Sequence, residues 1–510
     1  SQAVDEVVVV GYGTLKTAQL VGAVEDLGGE ELEGRSTSNV SRSLQGMVPG
    51  LNVMPRDGKP TQGGEIYIRG NSQSVSMRTS TSSGTGKTIK LGQGGSALVL
   101  IDGVEGDLNS VNPEDVENIA VLKDAASNAL YGARGANGVI MITTKKAKAG
   151  EAVVTVDAKW GVNSKALEEY DVFTDPREYY EAHYTALRNY YMDKQGMGSA
   201  AAHLKANAVV AGSPADGGLG YQVFTVPEGQ SFIGTNGKVN PAATLGRKYT
   251  YNGQDYWVTP DNWIDETYRK SLRQEYNVSV AGTTGNAQIF ASFGYLHNKG
   301  IIDGEDMQRY TARIRADYQA KEWLKIGMNA GYTNFNWNNG NGDASGNIFS
   351  YATSIAPIYP VYVRNADGSI KTDSRGFTVY DYGAGEYPGL GRPFMGNSSP
   401  ASQLQLDSRD YTADVISAKG FAEIRIFYGL KATANWGVDV DNTRARELVN
   451  AFYGQYSEVG GIASVSYARE FSTNQQYLLT YIKQLGMHNI DLLAGFEKYD
   501  YTYQYLGGSK

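Results

Sequence analysis

The groups in this chain best placed by type and spacing to do chemistry belong to the main chain. Asp5-Glu6-Val7-Val8-Val9-Val10-Gly11-Tyr12-Gly13-Thr14 sets an acidic pair ahead of an all-β-branched run that stops at glycines. Consecutive valines stiffen the backbone toward the extended form. The segment therefore reads as a short strand with unpaired amide and carbonyl edges, open to completion by another protein's sheet edge. The plainer alternative is an ordinary first strand of a domain. Side-chain chemistry is scarcer. Gly11-Tyr12-Gly13 fails as a dinucleotide fingerprint because Lys16 stands where a third glycine is required, and Gly84-Thr85-Gly86-Lys87-Thr88 fails as a phosphate loop because Thr81 stands where its first glycine belongs. Asp439, Asp441 and Asn442 lack the glycine and distal glutamate of a calcium loop. His183, His203, His297 and His488 are dispersed, with no metal-ligand spacing. No carboxylate pair is singled out for hydrolysis, so no catalytic residue, metal or cofactor is expected, and an enzyme is the weak reading.

Composition explains what must position that opening strand. The 510 residues include 62 Gly, 36 Tyr and 14 Phe, with 20% charged residues and no cysteine. High Gly and Tyr with modest hydrophobicity suit many strands joined by polar loops. A net charge of −8 argues against nucleic acid as a partner, and the absence of cysteine excludes disulfides and thiolate sites. No run approaches the roughly 18 apolar residues of a membrane helix, but a barrel alternates its apolar residues and escapes that test. Ser1-Gln2-Ala3 is neither the charged nor the apolar part of a signal peptide, so the chain reads as mature or trimmed.

Two regimes meet near residue 150. From Thr37 to Lys146 the pattern is a small α/β unit: a short helix through Val40, Ser43, Leu44 and Met47, then strands at 65–69, 97–101, 118–122 and 138–144. Asp124 is expected to cap a short helix through Ala125, Ala126, Ala129 and Leu130. Beyond Gly150 the period is two. Tyr310, Ala312, Ile314, Ala316 and Tyr318 share one face against Thr311, Arg313, Arg315, Asp317 and Gln319, and the scheme recurs around 152–161, 275–280, 324–332, 430–439 and 490–497. Aromatic residues end the apolar face. Tyr310 and Tyr318 lie roughly 27 Å apart along a strand, about 20 Å along the membrane normal at the usual tilt. Both rings would then edge a lipid-facing band, with the charged face toward a wet lumen; a sandwich with a polar outer face also alternates. Tight turns at 282–286 and 320–323 contrast with long excursions near 163–270 and 337–410, the outer-membrane arrangement of one short-turn and one long-loop rim. In the first excursion Asp175-Pro176 opens a helix through Tyr179, Tyr180, His183, Leu187 and Tyr190, whose aromatic stripe is expected to pack the loop onto itself.

These residues resemble the SusC/RagA family of TonB-dependent outer-membrane transporters of Bacteroidetes. Asp5 to Gly13 resembles the TonB box. The plug resemblance rests on Leu44-Gln45-Gly46, Pro49-Gly50-Leu51, Ile68-Arg69-Gly70, Leu100-Ile101-Asp102-Gly103-Val104, Asn112-Pro113-Glu114-Asp115-Val116-Glu117, Val121-Leu122-Lys123-Asp124-Ala125 and Tyr131-Gly132-Ala133-Arg134-Gly135-Ala136-Asn137-Gly138-Val139-Ile140. Tyr310-Thr311-Ala312-Arg313 and Trp323-Leu324-Lys325 are similar to the family's early barrel. The segment 75–96 is a longer insertion than the family pattern. The family's barrels have 22 strands, whereas about nine are counted here, too few to close at that diameter, so the chain is expected to be a fragment.

The resemblance implies a transmembrane antiparallel β-barrel with a small α/β plug in its lumen, divided as TonB box 1–14, plug 15–149 and barrel 150–510. It implies TonB binding by Asp5, Glu6, Val7, Val8, Val9, Val10, Gly11 and Tyr12, and a plug signature at Arg69, Gly70, Asp102, Gly103, Lys123, Asp124, Tyr131, Gly132, Arg134, Asn137 and Gly138. Of these, Arg69, Asp102, Lys123, Asp124 and Arg134 are expected to form structural salt bridges to wall residues. Implied partners are a SusD-like surface lipoprotein, the TonB C-terminal domain and outer-membrane lipid, in a dimer of SusC–SusD pairs. The implied activity is energised import of oligosaccharides, with oligopeptides as the alternative cargo and unassigned substrate residues. A passive structural barrel or adhesin and a surface hydrolase remain as readings of other classes. Residues 5–10 are expected to pack poorly against the barrel, or to be ordered only when substrate is absent.

Overall fold

The structure is a computed structural model and describes all residues except 1–6, 11–12, 17–23, 36, 56–63, 69–96, 124–128, 148–149, 167–170, 339–347, 428, 455 and 487. A nine-stranded antiparallel sheet dominates it. Its strands follow chain order: Val153–Asn163, Ser271–Thr284, Ala287–Lys299, Asp306–Lys321, Leu324–Asn338, Ser408–Phe427, Leu430–Val449, Ile462–Leu485 and His488–Ser509, with the first and last at opposite edges. The segments 285–286, 322–323, 428–429 and 486–487 make four short connections on one rim. Both long excursions and the segments 300–305 and 450–461 lie on the other.

Burial along these strands is the inverse of a soluble sheet. Tyr310, Ile314 and Tyr318 are exposed, while Arg309, Thr311 and Asp317 beside them are buried. The same reversal sets exposed Tyr276, Val278 and Val280 against buried Glu275 and Asn277. A packed sandwich core could not hold those charges unpaired, whereas a lumen filled by a polar domain can. Pairing places Ala158, Tyr276, Tyr295 and Tyr310 on one row. Tyr276 stacks on Tyr295 with centroids 6.2 Å apart, and Tyr295 meets Tyr310 at 4.9 Å. Trp160 Nε1 donates to Tyr276 Oη at 3.0 Å, and Trp436 Nε1 to Tyr477 Oη at 3.2 Å. These outward pairs form the aromatic girdle of a lipid-facing band.

Inside the curve of the sheet sits a second, mixed sheet of five strands in the order Val24–Gly28, Val116–Leu122, Val139–Thr144, Leu98–Ile101, Val104–Glu105. The pair Leu98–Ile101 with Val139–Thr144 is parallel and the rest antiparallel. Its core holds fully buried Leu32, Val40, Leu44, Val116, Ile119, Val121 and Ile140. The helix at Val40–Ser43 is a single turn, capped by Asn39, whose side chain accepts from the Arg42 amide at 3.0 Å. The helix expected after Asp124 is not an α-helix where it is described. Ala129–Gly135 forms 3-10 turns broken at Gly132 (φ 55, ψ −142), a geometry closed to residues with a Cβ; Asp124, Ala125 and Ala126 lie outside the described residues.

The two long excursions fold into one cap on the long-loop rim. Pro176–Asp193 is a helix capped by Asp175, and it buries Tyr180, Tyr184 and Tyr191, whereas Tyr190 is exposed. The stripe therefore packs inward, as expected, but against both excursions: Tyr180, Tyr184, Tyr221 and Trp263 share a core with Tyr351, Tyr359, Tyr382 and Tyr387. At its centre the Arg392–Asp381 ion pair is completely buried at 2.8 Å. Arg392 also donates to Tyr351 Oη at 2.7 Å and to the Asp381 carbonyl at 2.7 Å, while Tyr221 Oη donates to Asp381 at 2.9 Å. Arg364 adds a bidentate bridge to Asp261 of the first excursion, at 2.6 and 3.0 Å.

Candidate functional site

The sequence Ile101-Asp102-Gly103-Val104 closes a two-residue hairpin, with Ile101 paired to Val104 and positive φ at Asp102 (50°) and Gly103 (84°). Asp-Gly is the pair that tolerates two left-handed residues in succession, so local turn chemistry fixes where this carboxylate stands. It stands against the wall. Asp102 Oδ1 accepts from the Thr144 amide at 3.0 Å and Arg315 Nη1 at 3.4 Å. Its Oδ2 accepts from Thr144 Oγ1 at 2.7 Å and Asn329 Nδ2 at 2.5 Å, and Arg313 lies 3.8 Å away. Lys419 Nζ donates to the Asp102 carbonyl.

Around this centre the inner domain meets the wall through polar ties. Asn112 Nδ2 donates to Asn277 at 2.8 Å, and Thr333 Oγ1 to the Ser110 carbonyl at 2.8 Å. Arg309 reaches the Ser38 carbonyl at 2.7 Å, Arg273 the Thr37 carbonyl at 3.1 Å, and Lys159 the carboxylate of Glu114. Arg134 bridges Glu105 of its own domain at 3.2 Å and Glu497 of the last wall strand at 3.3 Å, with its guanidinium 5.1 Å over the Tyr499 ring. Burial pushes the Asp115 carboxyl above its ordinary range against the pull of Arg313, and likewise Glu105 against Arg134. An interface of separate hydrogen bonds and ion pairs can be released one contact at a time, unlike an apolar core that must part together.

The other signature residues serve the inner domain itself. Lys123 pairs with Glu25 at 2.9 Å and donates to the Pro49 carbonyl at 3.0 Å, so its bridge is internal, where a bridge to the wall was expected. The reason is position: Lys123 directly follows the strand that pairs with Val24–Gly28. Tyr131 is buried, its hydroxyl 3.7 Å from Met141 Sδ. Gly138 (φ 95) faces Ile68 so closely that an added Cβ would lie 2.4 Å from its Cδ1, and Asn137 precedes it in the same turn, half-buried. Arg69, Gly70 and Asp124 lie outside the described residues, as does the insertion at 75–96. The wall partners Arg313, Arg315, Asn329 and Lys419 were missed as site residues. Alternation marks Arg313 and Arg315 as lumen-facing, but which carboxylate they meet depends on register.

Of the box, Val7–Val10 is a strand, while Asp5, Glu6, Gly11 and Tyr12 lie outside the described residues. The strand is not unpartnered. It pairs antiparallel with Gly13–Lys16, closing Val10 on Gly13. Reading Gly11 and Gly13 only as terminators missed that a glycine opening a two-residue connection is a hairpin signal. One edge of Val7–Val10 is thereby occupied.

Asp102→Ala is expected to loosen the inner domain's seat by on the order of 2–3 kcal/mol, since two arginines and an asparagine lose their acceptor at once. Amide exchange along Val139–Thr144 should rise roughly 30- to 150-fold, read by hydrogen-exchange mass spectrometry. Exchange equal to that of the parent chain would rule the seat out.

A family model described as the TonB-dependent receptor plug domain matches residues 16–139. The chain is 27% identical over 524 residues to the TonB-dependent receptor SusC of Bacteroides thetaiotaomicron, an alignment covering 98% of this chain and 43% of that protein. It is 24% identical over 504 residues to TonB-dependent receptor P3 of Formosa agariphila, covering 96% and 40%. Among solved structures, the RagAB peptide importer in its open-open state superposes with a TM-score of 0.73 at 22% identity, covering 99% of this chain and 50% of that one. The chain thus spans about two-fifths of these curated relatives.

Proposed function

We propose, for a chain that carries the plug and opening barrel strands of a SusC/RagA-like TonB-dependent transporter of the outer membrane, that it works in energised import of nutrient oligomers. The observation that carries this reading is the polar seat of the plug: a lumen-filling domain held by releasable ties blocks passive flow at rest and opens under a pull. Val7–Val10 is the handle. TonB would pair with it by strand addition, and the proton gradient of the inner membrane would supply the work. A SusD-like lipoprotein would close over the long-loop rim, in a dimer of SusC–SusD pairs. Oligosaccharide is the proposed cargo, with oligopeptide the runner-up. A passive barrel or adhesin needs neither a handle nor a releasable plug.

The test is uptake by cells with and without TonB, using labelled oligomers of both classes. Uptake is expected to fall to background without TonB, and uptake that continues unchanged would overturn the energised reading in favour of a passive barrel.

A further inference from the structure

The outward face of the wall carries a polar patch above its aromatic girdle. Cross-strand partners share a face, so Tyr310, exposed on the lipid side, fixes the side of the whole register row Tyr310, Asn334, Asp414, Asn442 and Arg469. The next row toward the long-loop rim sets Asn336, Thr412, Arg444 and Tyr467 on the same side. The strands that carry these polar residues, Leu324–Asn338 to Ile462–Leu485, have a neighbour on each side. Their outward exposure therefore belongs to the wall and not to a sheet edge.

The patch has two tiers. Asn334 lies two residues past the outward Tyr332, roughly 5 Å up the membrane normal. From there the lower tier is a ladder of amides, a hydroxyl and an acid. Tyr332 Oη and Asn334 Nδ2 both donate to Asp414 Oδ1, at 2.6 and 2.8 Å, while Asn336 Nδ2 donates to Asn334 and Thr412 Oγ1 to Asn336, each at 3.1 Å. The upper tier is cationic. Arg444 stands eight residues past Trp436, and Arg469 eight past Tyr477, about 20 Å above that girdle pair. Arg446 is paired with Asp410 at 3.1 Å, but Arg444 and Arg469 meet no carboxylate among the described residues, and Arg444 lies 5.6 Å over the Tyr467 ring. Every outward arginine of the described wall strands falls in this tier. A groove crosses Asp414, Asn442, Arg444, Tyr467 and Arg469.

Height and charge together narrow the occupant. Phospholipid head groups add only about 5–8 Å to each side of the hydrocarbon layer, so their phosphates stay well below the free arginines. An anion held at that height beside the lipid needs a tall, polar carrier rooted in the membrane. Sugars on acyl chains supply one: their hydroxyls suit a ladder of amides and a carboxylate, and phosphates on them suit unpaired guanidiniums, which grip such groups through two parallel bonds.

We infer that this patch binds the head group of a phosphorylated glycolipid of the outer leaflet, with sugar hydroxyls on Asn334, Asn336 and Asp414 and phosphate on Arg444 and Arg469. The site follows from the placement of the wall in the outer membrane and is independent of what the lumen carries.

The test is native mass spectrometry of the full-length protein in detergent. The probes are lipopolysaccharide with a phosphorylated core, the same lipid stripped of its phosphates, phosphatidylglycerol and inorganic phosphate. The phosphorylated glycolipid should bind in preference to the other three. Arg444→Gln and Arg469→Gln should each weaken that binding roughly three- to tenfold and leave the stripped lipid within about twofold. Undiminished binding by the double arginine variant, equal binding of the stripped lipid, or phosphatidylglycerol or inorganic phosphate displacing the glycolipid at matched concentration would each overturn the site. A double variant that keeps its lipid but changes oligomeric state would overturn it as well, making the patch a contact between protein copies.

Discussion

Val8→Pro is expected to bring uptake down to the level of cells lacking TonB, while Val8→Ala retains roughly half or more of it, because a strand-addition partner reads main-chain hydrogen bonds above side chains. Proline removes one amide donor and fixes φ in the middle of the four-residue strand, whereas alanine removes only a β-branched side chain. The hairpin adds a second arm to the experiment. Val8 is paired with Leu15, so a proline at Leu15 loosens the protein's own hairpin without touching the handle. Leu15→Pro should therefore leave uptake near the parent level. Immunoblots of outer-membrane fractions and binding of the purified TonB C-terminal domain complete the measurement. Normal uptake by Val8→Pro at normal membrane levels would remove the handle from the mechanism.

Arg392→Leu is expected to melt the cap while sparing the wall. Removing one partner of a fully buried ion pair strands the other charge, a cost of about 3–5 kcal/mol, and here Asp381 would keep the Tyr221 hydroxyl and the Gly383 amide as donors. The same substitution takes a guanidinium from beside Trp263 and Tyr359, 5.5 and 5.3 Å from their rings. Limited proteolysis should then cut within 176–270 and 348–406 while the nine wall strands stay protected. The double variant Arg392→Leu with Asp381→Leu, which leaves no lone buried charge, should recover much of the loss. If the double variant is cut as fast as the single, the ion pair is not what holds the cap.

How much of this was legible in the sequence depended on the range of the interaction. Tyr310, Ile314 and Tyr318 against Thr311, Arg313 and Asp317 announced a two-faced strand, because a strand's sides are set by its own alternation. The plug domain was legible as resemblance, and a family model matches residues 16–139; Asp102-Gly103 carries a turn requirement a reader could have used. Tyr184 and Tyr191 escaped the stripe read on their helix because their cover is not local: the Tyr184 hydroxyl meets His203 Nδ1 at 2.7 Å, on a later helix of the same excursion whose docking periodicity alone does not place. Asp381 and Arg392 look like ordinary loop charges in a stretch rich in glycine and tyrosine; only the fold of two distant segments removes them from water. The pairing of Val7–Val10 with Gly13–Lys16 is hard to see in the sequence because the glycines that end the valine run look the same whether the chain stops or turns back there.

The contrast between the two rims sets an order of assembly. Along the short-turn rim each new strand docks on the one just made, so the wall grows through local steps of low contact order. The cap cannot grow that way. Tyr180 and Tyr359 touch one core only after the connection 164–270 has closed and the wall strands that follow it are laid down. Closing that connection costs roughly 2–3 kcal/mol more chain entropy than closing 300–305 on the same rim. The cap core thus matures only after the four wall strands between its two segments are in place, and a barrel stalled before then would present an unfinished tyrosine core.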